Sequence, residues 1–352
     1  MNKKIIKIKK RLWLSTITIL CTLTGCLHRK SFVPSTGLPS WPRLRRTGRT
    51  GRLPSKPLIP RDSAQASLRT GTKKPVPKEK HTITVWIHGT RFESNFMRNK
   101  IFKNIAYRAF IQNGLLHHSA YKTGSNFKKI AQNLAKQNTK RFTLENFYIF
   151  GWSGKLNHKK RMSSALQLHI SLLQLINKYK KKHNVTPKIR FVTHSHGGNV
   201  ALCFAKINDN SKDKIIISEL VLLACPVQEK TAPLIKSKTF ESIYCLYSSL
   251  DMIQVIDPQG LHDIKDKKRT KKPFFSERLF PAHNNLSQVK LKVNGRGILH
   301  IEFILSRFSK LLPHILQEID TWKQEENNYN LLKIRTNNSA RKMGFSRKTL
   351  KS

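Results

Sequence analysis

Short apolar segments alternate with helical repeats along most of the chain, and this alternation restricts its possible folds more than any other feature. Between the segments, apolar residues recur every three or four positions over 162–179 and 304–319, as on the buried face of a helix. Several segments are continuously apolar, as strands covered on both faces are. The pattern therefore predicts an α/β fold, in which a mostly parallel sheet is flanked by helices. The candidate strands are residues 83–87, 147–150, 189–193, 220–224, 243–247 and 289–293.

The chain outside this predicted single domain, residues 81–322, has a different composition. Residues 26–80 are rich in Pro, Ser, Arg and Lys, and Asp62 and Glu79 are their only acidic residues. This composition predicts an extended, self-repelling tether. Residues 323–352 are polar and basic, and we expect a frayed or disordered tail there. A hydrophobic content of 38% over 352 residues supplies a sizeable core, which excludes a wholly disordered chain.

Residues 1–25 have the parts of a secretory signal peptide. A basic start is followed by a mostly apolar stretch over 12–23 and by small residues before Cys26. The Leu-Thr-Gly-Cys ending resembles a bacterial lipobox, which implies cleavage before Cys26 and diacylglycerol on its thiol. An ordinary signal peptide and an uncleaved anchor are the alternatives. We therefore expect an exported lipoprotein of the bacterial cell envelope, held on a membrane by Cys26.

The chain is strongly basic, with a net charge of +48 from 67 Lys+Arg against 19 Asp+Glu. In the tether, this character favours attraction to anionic lipid headgroups, at about 1 kcal/mol per basic residue near the surface. A basic tract also attracts nucleic acid. The tether has only Phe32 and Trp41 for stacking on bases, so no nucleic acid partner is expected. A solvated spacer without a partner is the alternative.

Ser195 lies where a predicted strand turns sharply into a predicted helix. Residues 189–202 read Ile-Arg-Phe-Val-Thr-His-Ser-His-Gly-Gly-Asn-Val-Ala-Leu. A nucleophile on such a turn needs small residues two positions before and after it, because the strand and the helix approach closely. Gly197 meets this need, whereas Thr193 occupies the place of the first glycine in Gly-x-Ser-x-Gly. The N-terminus of the following helix favours negative charge at Ser195.

A His-Gly pair, followed by Thr90, ends the first predicted strand. Together with the His-Ser-His-Gly-Gly sequence around Ser195, it resembles the α/β-hydrolase superfamily of lipases and esterases, over residues 81–322. The resemblance implies an α/β-hydrolase fold with Ser195 as the nucleophile. It also implies an oxyanion hole formed by the backbone N–H groups of Thr90 and His196.

The same family places its catalytic residues in the chain order nucleophile, acid, histidine. This order implies that Asp251, which follows the predicted strand 243–247, is the acid that orients the histidine. It also implies that His300 is the general base, since His300 lies in a glycine-containing loop before a helical repeat. The alternatives are Asp257 and Asp263 for the acid, and His262, His283 and His314 for the base.

Several side chains near these residues allow a second interpretation. His194 and His196 suggest a metal pair, but no third ligand with suitable spacing accompanies them. No metal is expected, and packing and hydrogen bonding around the turn is the better interpretation. Trp152 follows another predicted strand and either lines an acyl pocket or caps the core. The apolar surroundings of three cysteines predict that they are buried: Cys203, Cys225 and Cys245.

These features predict a membrane-tethered serine hydrolase that cleaves acyl esters, including those of lipids, through an acyl-enzyme without a cofactor. The basic segment 261–281, between the acid and the histidine, is a candidate lid or headgroup contact, or else a solvated loop. Two other functions stay open. One is a catalytically inactive binding protein of the hydrolase fold, which the Thr193 departure favours. The other is a basic module that adheres to membranes or polyanions.

Overall fold

The computed structural model describes residues 81–90, 112–255, 278–322, 329–337 and 343–350. The expected signal peptide, the lipidated Cys26 and the tether lie outside these residues. The alternative site residues Asp257, Asp263 and His262 also lie outside them. The same holds for most of segment 261–281, so its interpretation as a lid stays a prediction.

Nine strands of the described chain form one mixed sheet: β1 Thr82–Ile87, β2 Gly114–His117, β3 Phe147–Gly151, β4 Lys188–His194, β5 Ile217–Leu223, β6 Ile243–Tyr247, β7 Leu286–Val293, β8 Tyr329–Thr336 and β9 Met343–Thr349. Their spatial order is β2-β3-β1-β4-β5-β6-β7-β8-β9. The seven inner strands run parallel to one another. The edge strands β2 and β9 are antiparallel to their neighbours.

Four helices of the described chain cover this sheet: α1 Asn126–Gln137, α2 His158–His183, α3 His196–Asp209 and α4 Ser306–Asp320. Helices α2 and α3 pack together on one face, and α1 and α4 pack together on the other. The side chains of Ser125 and Asn157 cap α1 and α2 by accepting backbone N–H hydrogen bonds in the first turn. In the described ranges, no helix combines the length and the apolar character needed to span a membrane.

Burial on both faces explains why the strands are continuously apolar. In β1, Val85 and Ile87 contribute to the core under α2 and α3, whereas Trp86 contributes to the core under α1 and α4. Successive side chains of a strand point to opposite faces, so each face of a doubly covered sheet requires apolar residues. The prediction of an α/β fold with a mostly parallel sheet flanked by helices is confirmed.

The prediction that residues 323–352 form a frayed tail is wrong for β8 and β9. Strand β8 pairs in parallel with β7 and buries Leu332 and Ile334 in the core beneath α1 and α4. Strand β9 pairs with β8 as an exposed edge strand that carries basic residues. Charged side chains on an edge strand blunt its tendency to pair with another chain. The basic composition of this segment therefore indicates a sheet edge.

The parallel strands bring distant parts of the chain to one edge of the sheet. Strands β1, β4, β6 and β7 all run in the same direction, so the residues after their carboxyl ends lie along one edge. Those residues include Thr90 after β1, Ser195 after β4, Asp251 after β6 and His300 after β7. In open α/β sheets, this edge is where ligands bind.

Candidate active site

Ser195 occupies a strained turn between β4 and α3. Its backbone has φ 53° and ψ −132°, in the left-handed half of conformational space that non-glycine residues rarely adopt. Two hydrogen bonds hold the turn. The Ser195 N–H donates to the Leu223 carbonyl at 2.8 Å, and the Ser195 carbonyl accepts from the Gly198 N–H at 2.9 Å. The turn places Ser195, which is buried, between the carboxyl end of β4 and the N-terminus of α3.

Gly197, two residues after Ser195, must be a glycine because the backbone after β1 approaches it closely. A Cβ atom on Gly197 would lie 2.5 Å from the carbonyl oxygen of His88, which is closer than real contacts allow. Gly89 is equally constrained, because its Cβ would lie 2.8 Å from the Cβ of Ser195. The segment after β1 and the turn at Ser195 are therefore in direct contact.

Thr193 fits the position where the family pattern has glycine. Its side chain is fully buried, and its hydroxyl donates to the Val221 carbonyl of the neighbouring strand β5 at 3.0 Å. Because this buried hydroxyl has a hydrogen-bond partner, it avoids the free-energy cost of an unsatisfied polar group. The departure from Gly-x-Ser-x-Gly thus leaves the turn intact.

Asp251 and His300 form a hydrogen-bonded pair. The His300 Nδ1 lies 2.8 Å from Asp251 Oδ2 and 3.1 Å from Oδ1. The Asp251 side chain is 0% exposed and that of His300 is 12% exposed. The carboxylate also accepts the Gln254 N–H at 2.9 Å, which fixes its orientation. Because a carboxylate only accepts hydrogen bonds, Nδ1 is assigned the proton and Nε2 is left with its lone pair.

The structure does not place a hydrogen bond between Ser195 and His300. Among the described residues, the Ser195 hydroxyl and His300 Nε2 each lack a hydrogen-bond partner. Catalytic hydrogen bonds are often long in unliganded enzymes and shorten only when substrate binds. The geometry therefore joins Asp251 to His300 and leaves the contact between His300 and Ser195 open.

Two backbone N–H groups are available beside Ser195. His196 is the first residue of α3, so its N–H has no acceptor within the helix. Thr90 follows Gly89, which packs against Ser195. Within the described ranges, neither N–H donates a hydrogen bond, and the Thr90 hydroxyl is buried without a partner. Both N–H groups that the sequence predicts as oxyanion donors are therefore without an acceptor in the described chain.

Trp152, which follows β3, holds the segment that contains Thr90. Its backbone N–H donates to His88 Nε2 at 3.0 Å, and its indole N–H donates to the His88 carbonyl at 2.8 Å. The indole ring of Trp152 and the imidazole ring of His88 stack with centroids 5.7 Å apart. Since His88 Nε2 accepts, its Nδ1 carries the proton and donates to the Gly89 carbonyl at 2.6 Å. Trp152 lies in the core beneath α2 and α3, so of the two interpretations the structure favours the core cap.

His194 and His196 are both buried and held neutral. Burial is the main cause that lowers the pKa of each imidazole well below its usual value. The positive charge of Arg161 lowers the pKa of His196 further. His194 Nε2 lies 3.1 Å from the backbone carbonyl of His300. His194 therefore serves hydrogen bonding around the turn, whereas His196 packs there with its Nδ1 buried and without a hydrogen-bond partner among the described residues.

The alternative bases and the cysteines lie elsewhere. His283 Nδ1 contacts Asn285 Oδ1 at 2.5 Å, and His314 Nε2 contacts Gln137 Oε1 at 3.3 Å where α4 meets α1. Neither histidine contacts Asp251 in the described chain. Three cysteines are buried as free thiols: Cys203, Cys225 and Cys245. Burial raises the pKa of Cys203 to about 11, so its thiol stays protonated.

No known protein family model matches the chain, and no curated protein matches it. Solved structures do resemble it. A protein of unknown function from Agrobacterium tumefaciens, described as a candidate α/β hydrolase, has 12% identity and a TM-score of 0.33, over 70% of this chain and 87% of that one. Est1E from Butyrivibrio proteoclasticus, with bound ferulic acid, has 10% identity and a TM-score of 0.33, over 69% and 89%. The rice cell wall degrading esterase LipA from Xanthomonas oryzae has 10% identity and a TM-score of 0.27, over 74% and 76%. Similarity at this level says nothing about the activity of this chain.

Proposed function

We propose that the chain is a serine hydrolase of carboxylic esters. The observation that carries the proposal is the pairing of a fully buried carboxylate, Asp251, with His300 Nδ1 at 2.8 Å, at the sheet edge where Ser195 occupies a strained turn. This pairing leaves His300 Nε2 to act as the base toward the Ser195 hydroxyl.

The proposed reaction needs only groups of this chain. The Ser195 Oγ attacks the ester carbonyl carbon as His300 Nε2 takes its proton, and Asp251 stabilises the imidazolium. The Thr90 and His196 N–H groups bind the resulting oxyanion, and each such donor stabilises it by about 3 kcal/mol. His300 then protonates the departing alkoxide. Water hydrolyses the acyl-enzyme through the same proton transfers, with no cofactor or metal.

An apolar rim beside the proposed triad supports an acyl or lipid substrate. The described part of the chain exposes eight large apolar side chains, and four of them flank Asp251 or follow His300 closely. These four form what we call the apolar rim: Leu250 and Met252, each 45% exposed, Ile301, 47% exposed, and Leu305, 44% exposed. Exposed apolar residues that adjoin candidate site residues in the chain are candidates for a binding surface. An acyl chain, or the lipid that carries it, matches this chemistry.

The N-terminal residues fit the same proposal. Residues 1–25 as a lipoprotein signal peptide, lipidated Cys26, and residues 26–80 as a basic tether would hold the hydrolase domain at a membrane surface of the cell envelope. Metabolic labelling with an alkynyl fatty acid tests this part in a bacterial host. We expect labelling of the wild-type protein and none of a Cys26→Ser variant, with labelling of both contradicting the lipid anchor.

Reaction with a fluorophosphonate probe tests the mechanism, because the probe modifies only an activated serine. We expect labelling of the wild type, none of Ser195→Ala or His300→Ala, and weaker labelling of Asp251→Ala. His283→Ala and His314→Ala are matched controls that remove a histidine outside the proposed site. A series of p-nitrophenyl esters then gives the preferred acyl length. A well-folded wild type that does not react with the probe would overturn the mechanism.

The Ser195→Ala variant also separates the proposed enzyme from the two alternatives, a membrane-adhering module and an inactive binding protein. If Ser195→Ala binds anionic vesicles in a salt-sensitive manner and the wild type lacks esterase activity, the adhesion function is supported. An inactive binding protein of the hydrolase fold would show neither probe labelling nor salt-sensitive vesicle binding. Esterase activity lost in Ser195→Ala, with vesicle binding unchanged, supports the enzyme.

A further inference from the structure

The side chain of His194 connects the turn at Ser195 to the segment that carries His300. His194 is the last residue of β4 and immediately precedes Ser195. Its Nε2 lies 3.1 Å from the backbone carbonyl oxygen of His300, and the two imidazole rings are 4.6 Å apart. One buried side chain therefore spans two segments that are distant in sequence and meet only at the sheet edge.

The partner of His194 determines which nitrogen holds the proton. A carbonyl oxygen only accepts hydrogen bonds, so Nε2 carries the hydrogen and Nδ1 is unprotonated. The Nδ1 side faces Gly89, whose Cβ would lie 3.1 Å from it. The ring is thus enclosed by the segment after β1, by its own strand and by His300. Burial lowers the pKa of His194 well below its usual value, which keeps it a neutral, single donor.

His300 is then held at two points. Its imidazole is bound by Asp251, and its backbone carbonyl is bound by His194. The first contact sets the tautomer and the orientation of the ring. The second sets where the base stands relative to Ser195, because His194 and Ser195 are adjacent residues on a turn fixed by backbone hydrogen bonds.

We propose that His194 is a positioning residue of the proposed hydrolase, and that its Nε2–H···O bond to the His300 carbonyl sets the distance between nucleophile and base. The proposal rests on the esterase function proposed above. It differs from a role in packing alone, because it requires a hydrogen-bond donor at one point of the side chain. A residue that fills the space without that donor would not replace it.

Two variants of the full-length protein with an amide side chain at position 194 separate a positioning role from a role in packing alone. The amide nitrogen of His194→Gln reaches the place of Nε2, whereas that of His194→Asn reaches only the place of Nδ1. We expect His194→Gln to keep kcat within about threefold of the wild type. We expect His194→Asn to lower kcat about 10- to 100-fold with KM nearly unchanged, because displacing a catalytic group by 1 Å costs up to about 100-fold. The acidic limb of the kcat/KM pH profile should move in His194→Asn alone.

A second measurement does not depend on turnover. In protein labelled with 15N on histidine, the proton on His300 Nδ1 gives a resonance that reports its bond to Asp251. We expect this resonance at the wild-type position in His194→Gln and displaced in His194→Asn. Equal behaviour of the two variants in kcat and in this resonance would overturn the proposal. If the wild type neither reacts with the probe nor hydrolyses esters, the hydrolase function fails, and the resonance alone still decides whether His194 positions His300.

Discussion

Trp152 donates both of its N–H groups to His88, the backbone N–H to the imidazole Nε2 and the indole N–H to the carbonyl oxygen. The His88 carbonyl is also one of the atoms that exclude a Cβ from Gly197. A tryptophan after β3 therefore sets the position of the segment that ends in Thr90, relative to the turn at Ser195. Its effect on the proposed oxyanion donor passes through His88.

Removal of the indole donor should weaken both catalysis and folding. Trp152→Phe keeps the backbone donor but removes the indole hydrogen bond to the His88 carbonyl and leaves a cavity in the core, so we also expect lower stability. We expect kcat for a p-nitrophenyl ester to fall by about 10-fold, because the Thr90 N–H then loses its fixed position. Trp322→Phe is the control, since it removes an indole N–H that contacts Glu318 on α4. Equal kcat in both variants would contradict the role of Trp152.

The turn at Ser195 should not tolerate a side chain at Gly197. Gly197→Ala places a Cβ against two backbone carbonyls that cannot move aside. We expect it to destabilise the fold by about 1–3 kcal/mol and to lose probe labelling. Gly344→Ala is the control, because no atom lies within 4 Å of its added Cβ. The measurements are chemical denaturation and fluorophosphonate labelling.

Thr193→Gly restores the family pattern, yet we expect no gain in activity. The substitution removes the hydroxyl bond to Val221 and adds backbone freedom to the unfolded chain, so it should destabilise the fold by about 1–3 kcal/mol. Thr193→Ser keeps the hydroxyl and should stay closer to the wild-type stability. A rise of kcat in Thr193→Gly would mean that the threonine impairs the site.

Local sequence signals predicted the parts of the site that depend on neighbouring residues. The strand, turn and helix around Ser195 could be read because close approach of strand and helix imposes a small-residue spacing on one short segment. Asp251 and His300 could be assigned to loops only through a family resemblance in chain order. Their mutual contact at 2.8 Å arises from the parallel placement of β6 and β7, which the sequence indicates only as two apolar segments.

Contacts between distant segments were not predictable in the same way. The bond from His194 to His300 and those from Trp152 to His88 depend on strand order, in which β1 lies between β3 and β4. Strand β8 shows that burial, too, could not be predicted from local composition. It is polar in composition, but pairing with β7 buries Leu332 and Ile334. Side-chain burial at the sheet edge is thus decided by the neighbouring strand rather than by local composition.

The apolar rim should matter for lipid substrates and not for small soluble esters. Met252→Asn and Leu305→Asn replace exposed apolar side chains near Asp251 and His300 with polar ones. We expect hydrolysis of a long-chain ester in anionic vesicles to fall at least about fivefold, because less apolar surface then leaves water on binding. Activity on p-nitrophenyl acetate should stay unchanged.

Two exposed apolar residues of α2 provide the control for the rim. Leu166 and Ile170 are 46% and 48% exposed on a helix that covers one face of the sheet, and they do not adjoin Asp251 or His300 in the chain. Leu166→Asn and Ile170→Asn should leave vesicle hydrolysis at the wild-type level. A comparable loss in these variants would assign the effect to overall hydrophobicity and remove the argument for the rim.

Glu219 on β5 should make the fold sensitive to acid. Burial acts to raise the pKa of its carboxyl, but hydrogen bonds and charges from Arg190 and Arg141 outweigh burial and lower the pKa to about 2, from a usual value of 4.5. A carboxyl whose pKa is lower in the folded state stabilises the fold above its unfolded pKa. This contribution, up to about 3 kcal/mol, is lost as the pH falls from about 4.5 toward 2.

Glu219→Gln should remove this dependence and destabilise the protein at neutral pH. The substitution leaves the buried Arg190 without a carboxylate partner, which costs about 3–5 kcal/mol, whereas Arg141 keeps its ion pair with Asp320. We expect the free energy of unfolding to fall at pH 7 and to change less between pH 5 and pH 3 than in the wild type. Asp213→Asn, an exposed carboxylate, is the control and should change neither quantity. Urea denaturation across this pH range measures both. Parallel acid profiles for Glu219→Gln and the wild type would show that this ion-paired carboxylate does not limit acid stability.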